Sequence, residues 1–106
     1  MVNKKILGLI GLTAKAGKIS FGADSVEIDI KKKLIKIVII AEDASNRTKE
    51  KFKKICEDYN IPIIQFGNIE TLSKAIGKNN KAIIGIKDIN LAREIKKLSD
   101  GGEFIG

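Results

Sequence analysis

Apolar and polar residues alternate along this chain with a period that changes from segment to segment, and the changes mark its elements. Lys4 to Lys15 carry Ile6, Leu7, Leu9, Ile10, Leu12 and Ala14 over a wide arc, which predicts a mostly buried helix ended by Gly17. Ile19 to Phe21 reads as a short strand. From Gly22 to Lys33, residues Ala23, Val26 and Ile30, continued by Leu34, fall within one narrow arc at about 100° per residue, so this segment reads as an amphipathic helix two. Ile35 to Ala41 has no polar break between Ile37 and Ile40, the pattern of a strand covered on both faces.

The alternation continues to the end. Ser45 or Asp43 caps a third helix running to Tyr59, with Phe52, Ile55, Cys56 and Tyr59 at i, i+3, i+4, i+7 spacing. Ile61 to Phe66 is a strand with Pro62 at its start, where its missing N–H does least harm. Asn68 caps a short helix from Ile69 to Ile76, and Gly77 closes it. A polar loop, Lys78 to Asn80, precedes a strand from Ala82 to Ile86. Asp88 caps a last helix through Leu98, with Leu91, Ile95 and Leu98 facing inward. Asp100-Gly101-Gly102 is expected to end it and leave an apolar tail over 103–106. Helices alternating with strands predict the α/β class, a three-layer α/β/α sandwich on a small sheet.

Length and composition narrow the function. At 106 residues the chain is one domain, and 43% hydrophobic with 31% charged residues is globular rather than disordered. No apolar run approaches the roughly 20 residues needed to span a bilayer. Lys4 and Lys5 precede an apolar patch as in a secretory leader, but Gly8, Gly11, Thr13 and Lys15 interrupt it and no cleavage pattern follows. A single cysteine excludes a disulfide framework and fits a reducing cytoplasm. The net charge of +7 favours an anionic partner, nucleic acid being the commonest. Codon bias is the competing explanation, since lysine and isoleucine are plentiful and arginine is scarce.

Few side chains offer chemistry. There is no histidine, so the usual His/Cys metal clusters are missing, and neither metal nor cofactor is expected. Cys56, on the inward stripe of helix three, reads as core rather than nucleophile. Gly11 to Lys18 imitates a phosphate loop but fails it. Five residues separate the glycines where the motif has four, Ile19 replaces the Ser/Thr that binds Mg²⁺, and a helix precedes it. Glu42-Asp43 ends a strand where α/β proteins place ligands, although Asp43 also suits a helix cap.

Two segments suit a polyanion better. Asp24, Ile28, Lys31 and Lys32 lie on helix two opposite its buried stripe, with Ser25 on the shoulder and Gly22 at the start. Lys15 and Lys18 come from the turn before it. The loop Gly77-Lys78-Asn79-Asn80-Lys81 offers backbone N–H groups, two amides and two cations, which suit phosphates and splayed bases.

Leu7-Gly8-Leu9 with Ala16-Gly17-Lys18, Gly22 opening helix two, and Lys36 to Ser45 (KIVIIAEDAS) stand in a distinctive order. Asn46-Arg47-Thr48-Lys49, Tyr59-Asn60-Ile61-Pro62-Ile63 and Ala75-Ile76-Gly77-Lys78 follow. Together these resemble the ribosomal protein family of kink-turn RNA binders (large-subunit seven-Ae and thirty-e type), and within it the bacterial YlxQ-like branch. The resemblance covers Leu7 to Leu98. It implies a four-stranded mixed sheet between helices, with RNA bound at the start of helix two and in the loop before the last strand. Family members open helix two with Gly-Ala-Asn-Glu and place a Lys one turn on. Those places here hold Gly22, Ala23, Asp24, Ser25 and Ile28. The implied base readout is therefore weaker, with phosphate contacts left to Lys15, Lys18, Lys31 and Lys32. The expectation is a non-catalytic, monomeric RNA-binding protein associated with ribosomes or another ribonucleoprotein, working in translation and away from membranes. Two alternatives stand beside it. One is a protein-interaction module using Ile28 and Phe104-Ile105, and the other a small enzyme using Glu42 and Asp43.

Overall fold

A computed structural model describes residues 3–105, with side chains through residue 99. Five helices and four strands alternate: α1 (Lys4–Lys15), β1 (Ile19–Phe21), α2 (Ala23–Lys31), β2 (Ile37–Ile40), α3 (Asn46–Asp58), β3 (Ile63–Gln65), α4 (Ile69–Ala75), β4 (Ile83–Ile86) and α5 (Ile89–Ile105). The strands form one mixed sheet in the order β1-β4-β2-β3. β4 runs antiparallel to both neighbours, pairing Ile86 with Ile19 and with Ile37, while β2 and β3 are parallel with Val38 opposite Ile63.

The continuous apolar strand is explained by helices on both faces. Ile37 and Ile39 face one way, with Ile84 and Ile86 of β4, into a core closed by Ile6 and Ile10 of α1, Leu72 of α4 and Ile95 of α5. Val38 and Ile40 face the other way, with Ile83, against Val26 and Ile30 of α2 and Phe52 and Cys56 of α3. This is the expected three-layer α/β/α sandwich. Gly85, opposite Val38, leaves room on the second face for Ile35, whose Cδ1 lies 2.7 Å from where a Cβ on that glycine would sit.

Helix ends follow the sequence closely. Asn3, Ser45, Asn68 and Asp88 each accept a first-turn N–H with the side chain, at α1, α3, α4 and α5. Asp43 does not cap α3. Its Oδ1 accepts from the Ile69 N–H at 2.8 Å, so it caps α4, next to it only through the β2–β3 pairing. Helices α1 to α4 end alike, the N–H of the sixth residue reaching back to the first: Lys18 to Thr13, Leu34 to Asp29, Ile61 to Cys56, Lys78 to Ser73. α2 stops at Lys31, short of the expected Lys33, because Lys33 turns left-handed at φ 62°. α5 runs to Ile105, through Gly101 and Gly102, where a stop is expected. Glycine costs a helix about 1 kcal/mol relative to alanine but, unlike proline, removes no hydrogen bond. The Phe104-Ile105 surface lies outside the described side chains.

Candidate nucleic-acid interface

The start of α2 is built on a backbone conformation reserved for glycine. Gly22 sits at φ 86°, ψ 151°, and donates its N–H to the Ile83 carbonyl at 3.0 Å. That bond ties the helix start to the beginning of β4. Gly22 has no side chain to cap α2, and none reaches in from elsewhere. The Gly22 carbonyl accepts from Val26, closing the first turn and leaving the N–H groups of Ala23, Asp24 and Ser25 facing outward at the positive end of the helix dipole.

The loop before β4 is pinned beside this start. Lys78 N–H donates to the Ser73 carbonyl at 2.8 Å. The Ser73 hydroxyl, on a residue only 3% exposed, accepts from Lys81 N–H at 2.7 Å and donates to the Lys81 carbonyl at 3.2 Å. Asn80 turns left-handed at φ 54°, which an asparagine tolerates better than most residues. The Lys78 and Lys81 ammoniums lie 5.1 and 5.5 Å from the centroid of the half-buried Phe21 ring, in cation–π range. Lys81 Nζ is also 3.9 Å from where a Cβ on Gly22 would sit. Two cations, an aromatic ring and three open amides thus share one end of the sheet. Asp24, Ser25, Asn79 and Asn80 are exposed around them, and Ile28, one turn along α2, is 53% exposed. A groove between the loop and α4 is lined by Asp43, Glu70, Lys74, Lys78 and Asn79.

The other sequence-nominated lysines are elsewhere. Lys18 precedes β1, whose far end carries Gly22, and its carbonyl accepts from Lys87 at 2.8 Å. Lys15 ends α1, before the same turn. Lys31 pairs with Glu27 at 3.1 Å, and Lys51 of α3 holds the other Glu27 oxygen at 2.8 Å. Lys51 first, then Lys31, keeps the Glu27 carboxyl below its ordinary range, so Lys31 is spent joining α2 to α3. Lys32 is the exposed C-cap of α2. Asp29, one helix turn back, accepts from the buried Ser20 hydroxyl and pairs with Lys87 at 3.2 Å, fixing this end of α2 to β1 and to the residue after β4. Gly22, Asp24 and Ser25 therefore join Lys78 to Lys81 at one end, whereas Lys15, Lys18, Lys31 and Lys32 gather toward the other.

Two residues of the first cluster escaped the sequence reading. Ser73 carried a readable signal: it sits on the Ile69, Leu72, Ile76 stripe of α4, a polar residue at an inward position. Phe21 carried none, because only the β1–β4 pairing sets it beside the loop. The alternative chemistries fare differently. Cys56 is 1% exposed, and burial pushes its thiol up to about 11, which suits a core residue. The Asp43 carboxylate is taken up in capping α4, and the Glu42 carbonyl accepts from Lys49 at 2.5 Å. Among the described residues no cluster of three His, Cys, Asp or Glu side chains is arranged to hold a metal ion, and no helix is long and apolar enough to cross a membrane.

A four-stranded mixed sheet between helices, with an uncapped second helix beside the loop before β4, defines the class. The chain belongs to the Ribosomal protein L7Ae/L30e/S12e/Gadd45 family, whose model matches residues 4–96. It is similar to the RNA-binding protein YlxQ of Enterococcus faecium, 36% identical over 98 residues covering 92% of this chain and 94% of that one. It is also similar to the RNA-binding protein YlxQ of Bacillus subtilis (strain 168), 30% identical over 92 residues covering 87% and 92%. Among solved structures, a Bacillus halodurans C protein of unknown function superposes with a TM-score of 0.89 at 35% identity, covering 92% of this chain and 99% of that one. The Giardia lamblia 15.5kD RNA binding protein shares the fold, with a TM-score of 0.75 at 23% identity over 90% and 88%.

Proposed function

We propose that this protein binds structured RNA without catalysis, through the start of α2 and the Gly77 to Lys81 loop, as a monomeric cytoplasmic component of a ribosome-associated or similar ribonucleoprotein that acts in translation. The observation that carries this reading is the meeting of Lys78 and Lys81 with the open amides of α2 across the Phe21 ring. Its context is a family in which curated relatives are named RNA-binding proteins. The net charge of +7 adds long-range attraction for a polyanion.

Asp24, Ser25 and Ile28 set the kind of recognition. Asp24 accepts hydrogen bonds but offers no amide donor, Ser25 is short, and Ile28 brings a methyl-rich surface in place of a cation. A good bidentate base contact discriminates by about 1–3 kcal/mol. This site is therefore tuned to the shape and backbone of a bent RNA more than to base edges. In this reading the exposed Asn79 and Asn80 amides meet a base splayed out of the bend.

The test is a titration of kink-turn RNA and of plain duplex RNA at two salt concentrations. Kink-turn RNA is expected to bind more tightly, with log K falling by about 0.7–0.9 per phosphate contact for each decade of salt. Lys78→Glu and Lys81→Glu are each expected to weaken it. Equal affinity for the two RNAs, or full binding by both variants, would overturn the proposal.

A further inference from the structure

We propose a second RNA-binding surface at the opposite end of the sheet, where Lys33 and Lys36 share a groove with the exposed Tyr59 and Lys18 and Lys32 extend the basic rim, and that it takes a single-stranded RNA segment. This rests on RNA being the ligand of the protein, but not on the α2 start being where it binds.

Topology builds the surface. β1, β2 and β3 all begin at this end and β4 finishes there. Lys18, Lys87 and Lys36 consequently follow one another across three neighbouring strands, joined by backbone bonds from Lys87 to Lys18 at 2.8 Å and from Lys36 to Ile86 at 2.7 Å. Neighbouring strands are about 4.8 Å apart, so the row is dense in charge. The turn after α2 adds Lys32 and Lys33. Lys87 is engaged by Asp29, while Lys18, Lys32, Lys33 and Lys36 are exposed. The carboxylates at this end include Asp29, which Lys87 holds, Glu57 and Asp58 at the end of α3, and Asp88, which follows β4 and caps α5. At the other end, Lys74 and Lys78 share a groove with Asp43 and Glu70, and Asp24 stands exposed in the first turn of α2. Four exposed lysines, Lys18, Lys32, Lys33 and Lys36, thus stand at this end, none of them in a salt bridge among the described residues.

One groove here is lined by Lys33, Lys36, Asp58, Tyr59 and Asn60. Tyr59 is 38% exposed, and Leu34 nearby is 43% exposed. A partly exposed tyrosine beside Lys33 and Lys36 suits a strand whose bases are free to stack, whereas a duplex keeps its base faces covered. Lys33 adds an independent sign. The left-handed residues closing α1, α3 and α4 are Gly17, Asn60 and Gly77, types that accept that conformation. α2 alone uses a lysine, at φ 62°, holding a cation at this rim where glycine would be less strained.

The probe is a single-stranded uridine octamer, followed by NMR on the full chain, in which Tyr59 is the one tyrosine. The octamer is expected to move the Tyr59 ring and the Lys33, Lys36 and Asn60 amides along one saturable curve. Lys33→Gly is expected to raise the melting temperature while weakening the octamer about fourfold at 0.15 M salt, the loss of one phosphate contact. That pairing cannot come from damage to the fold. Tyr59→Leu is expected to weaken the octamer roughly fivefold or more through lost stacking. Octamer shifts at Gly22, Ser25 and Lys81 with none at Lys33, Lys36, Tyr59 or Asn60 would overturn this surface, as would shifts nowhere, or unchanged affinity in Lys33→Gly. Octamer shifts at Lys33, Lys36, Tyr59 and Asn60 with no kink-turn RNA response at Gly22 would keep it and overturn the α2 reading instead.

Discussion

Replacing Gly22 with alanine isolates the backbone geometry that opens the α2 start. The added methyl group would meet nothing nearer than Lys81 Nζ at 3.9 Å, so there is no clash to relieve. The whole cost is torsional, because φ 86° with ψ 151° is open to glycine alone. Residues held in such regions cost about 1–3 kcal/mol. Alanine also narrows the unfolded ensemble, which offsets about 0.4–1 kcal/mol. A net loss of about 1–2 kcal/mol remains, or a melting temperature lower by about 5–15 °C for a domain of this size. Gly17→Ala and Gly77→Ala are the controls. Both glycines are left-handed, at φ 70° and 71°, and neither has an atom within 4 Å of an added Cβ. Alanine is milder there, since αL costs an L-residue about 1–2 kcal/mol before the same offset. Urea unfolding with linear extrapolation measures all three, and an unchanged slope shows that the folded and unfolded states keep their compactness. A Gly22→Ala loss no larger than that of Gly77→Ala would refute the reasoning, because the helix start would then relax without help from glycine.

Other perturbations probe the remaining joints. Ser73→Ala strips the Lys81 N–H of its partner inside the protein, and is expected to cost about 1–3 kcal/mol and to loosen the loop. Amide exchange at Lys81 faster than in wild type checks this, and unchanged exchange refutes it. Ser20 and then Lys87 hold the Asp29 carboxyl below its ordinary 3.8, so the stability it supplies is present above that pH and is lost as the pH falls further. Asp29→Asn is expected to destabilise by about 1–2 kcal/mol at pH 7, with the gap closing below about pH 4. Melting curves at pH 7 and pH 3 that differ from wild type by the same amount would contradict it. Cys56, buried with its thiol pushed to about 11, is expected to react with a disulfide reagent only as fast as the protein unfolds. Rapid labelling in native buffer would show that α3 opens independently.

The sequence by itself determined the order and type of the elements, the burial of β2 on both faces, the caps at Asn68 and Asp88, and the helix ends at Gly17 and Gly77. These depend on periodicity and on hydrogen bonds spanning a few residues, so a short window holds the whole signal. It also named both halves of the proposed interface, Gly22 to Ser25 and Lys78 to Lys81, as separate segments. Tertiary structure alone decided that they meet, because β1 pairs with β4 although more than sixty residues separate them in the chain. The same pairing brought Phe21 under two lysines, and the β2–β3 pairing turned Asp43 from α3 to α4. Lys18 lies only four residues before Gly22, yet the strand between them puts the two at opposite ends of the sheet. Where a charge ends up depends on which strand lies beside which, a non-local choice made by burying both faces of the sheet at once.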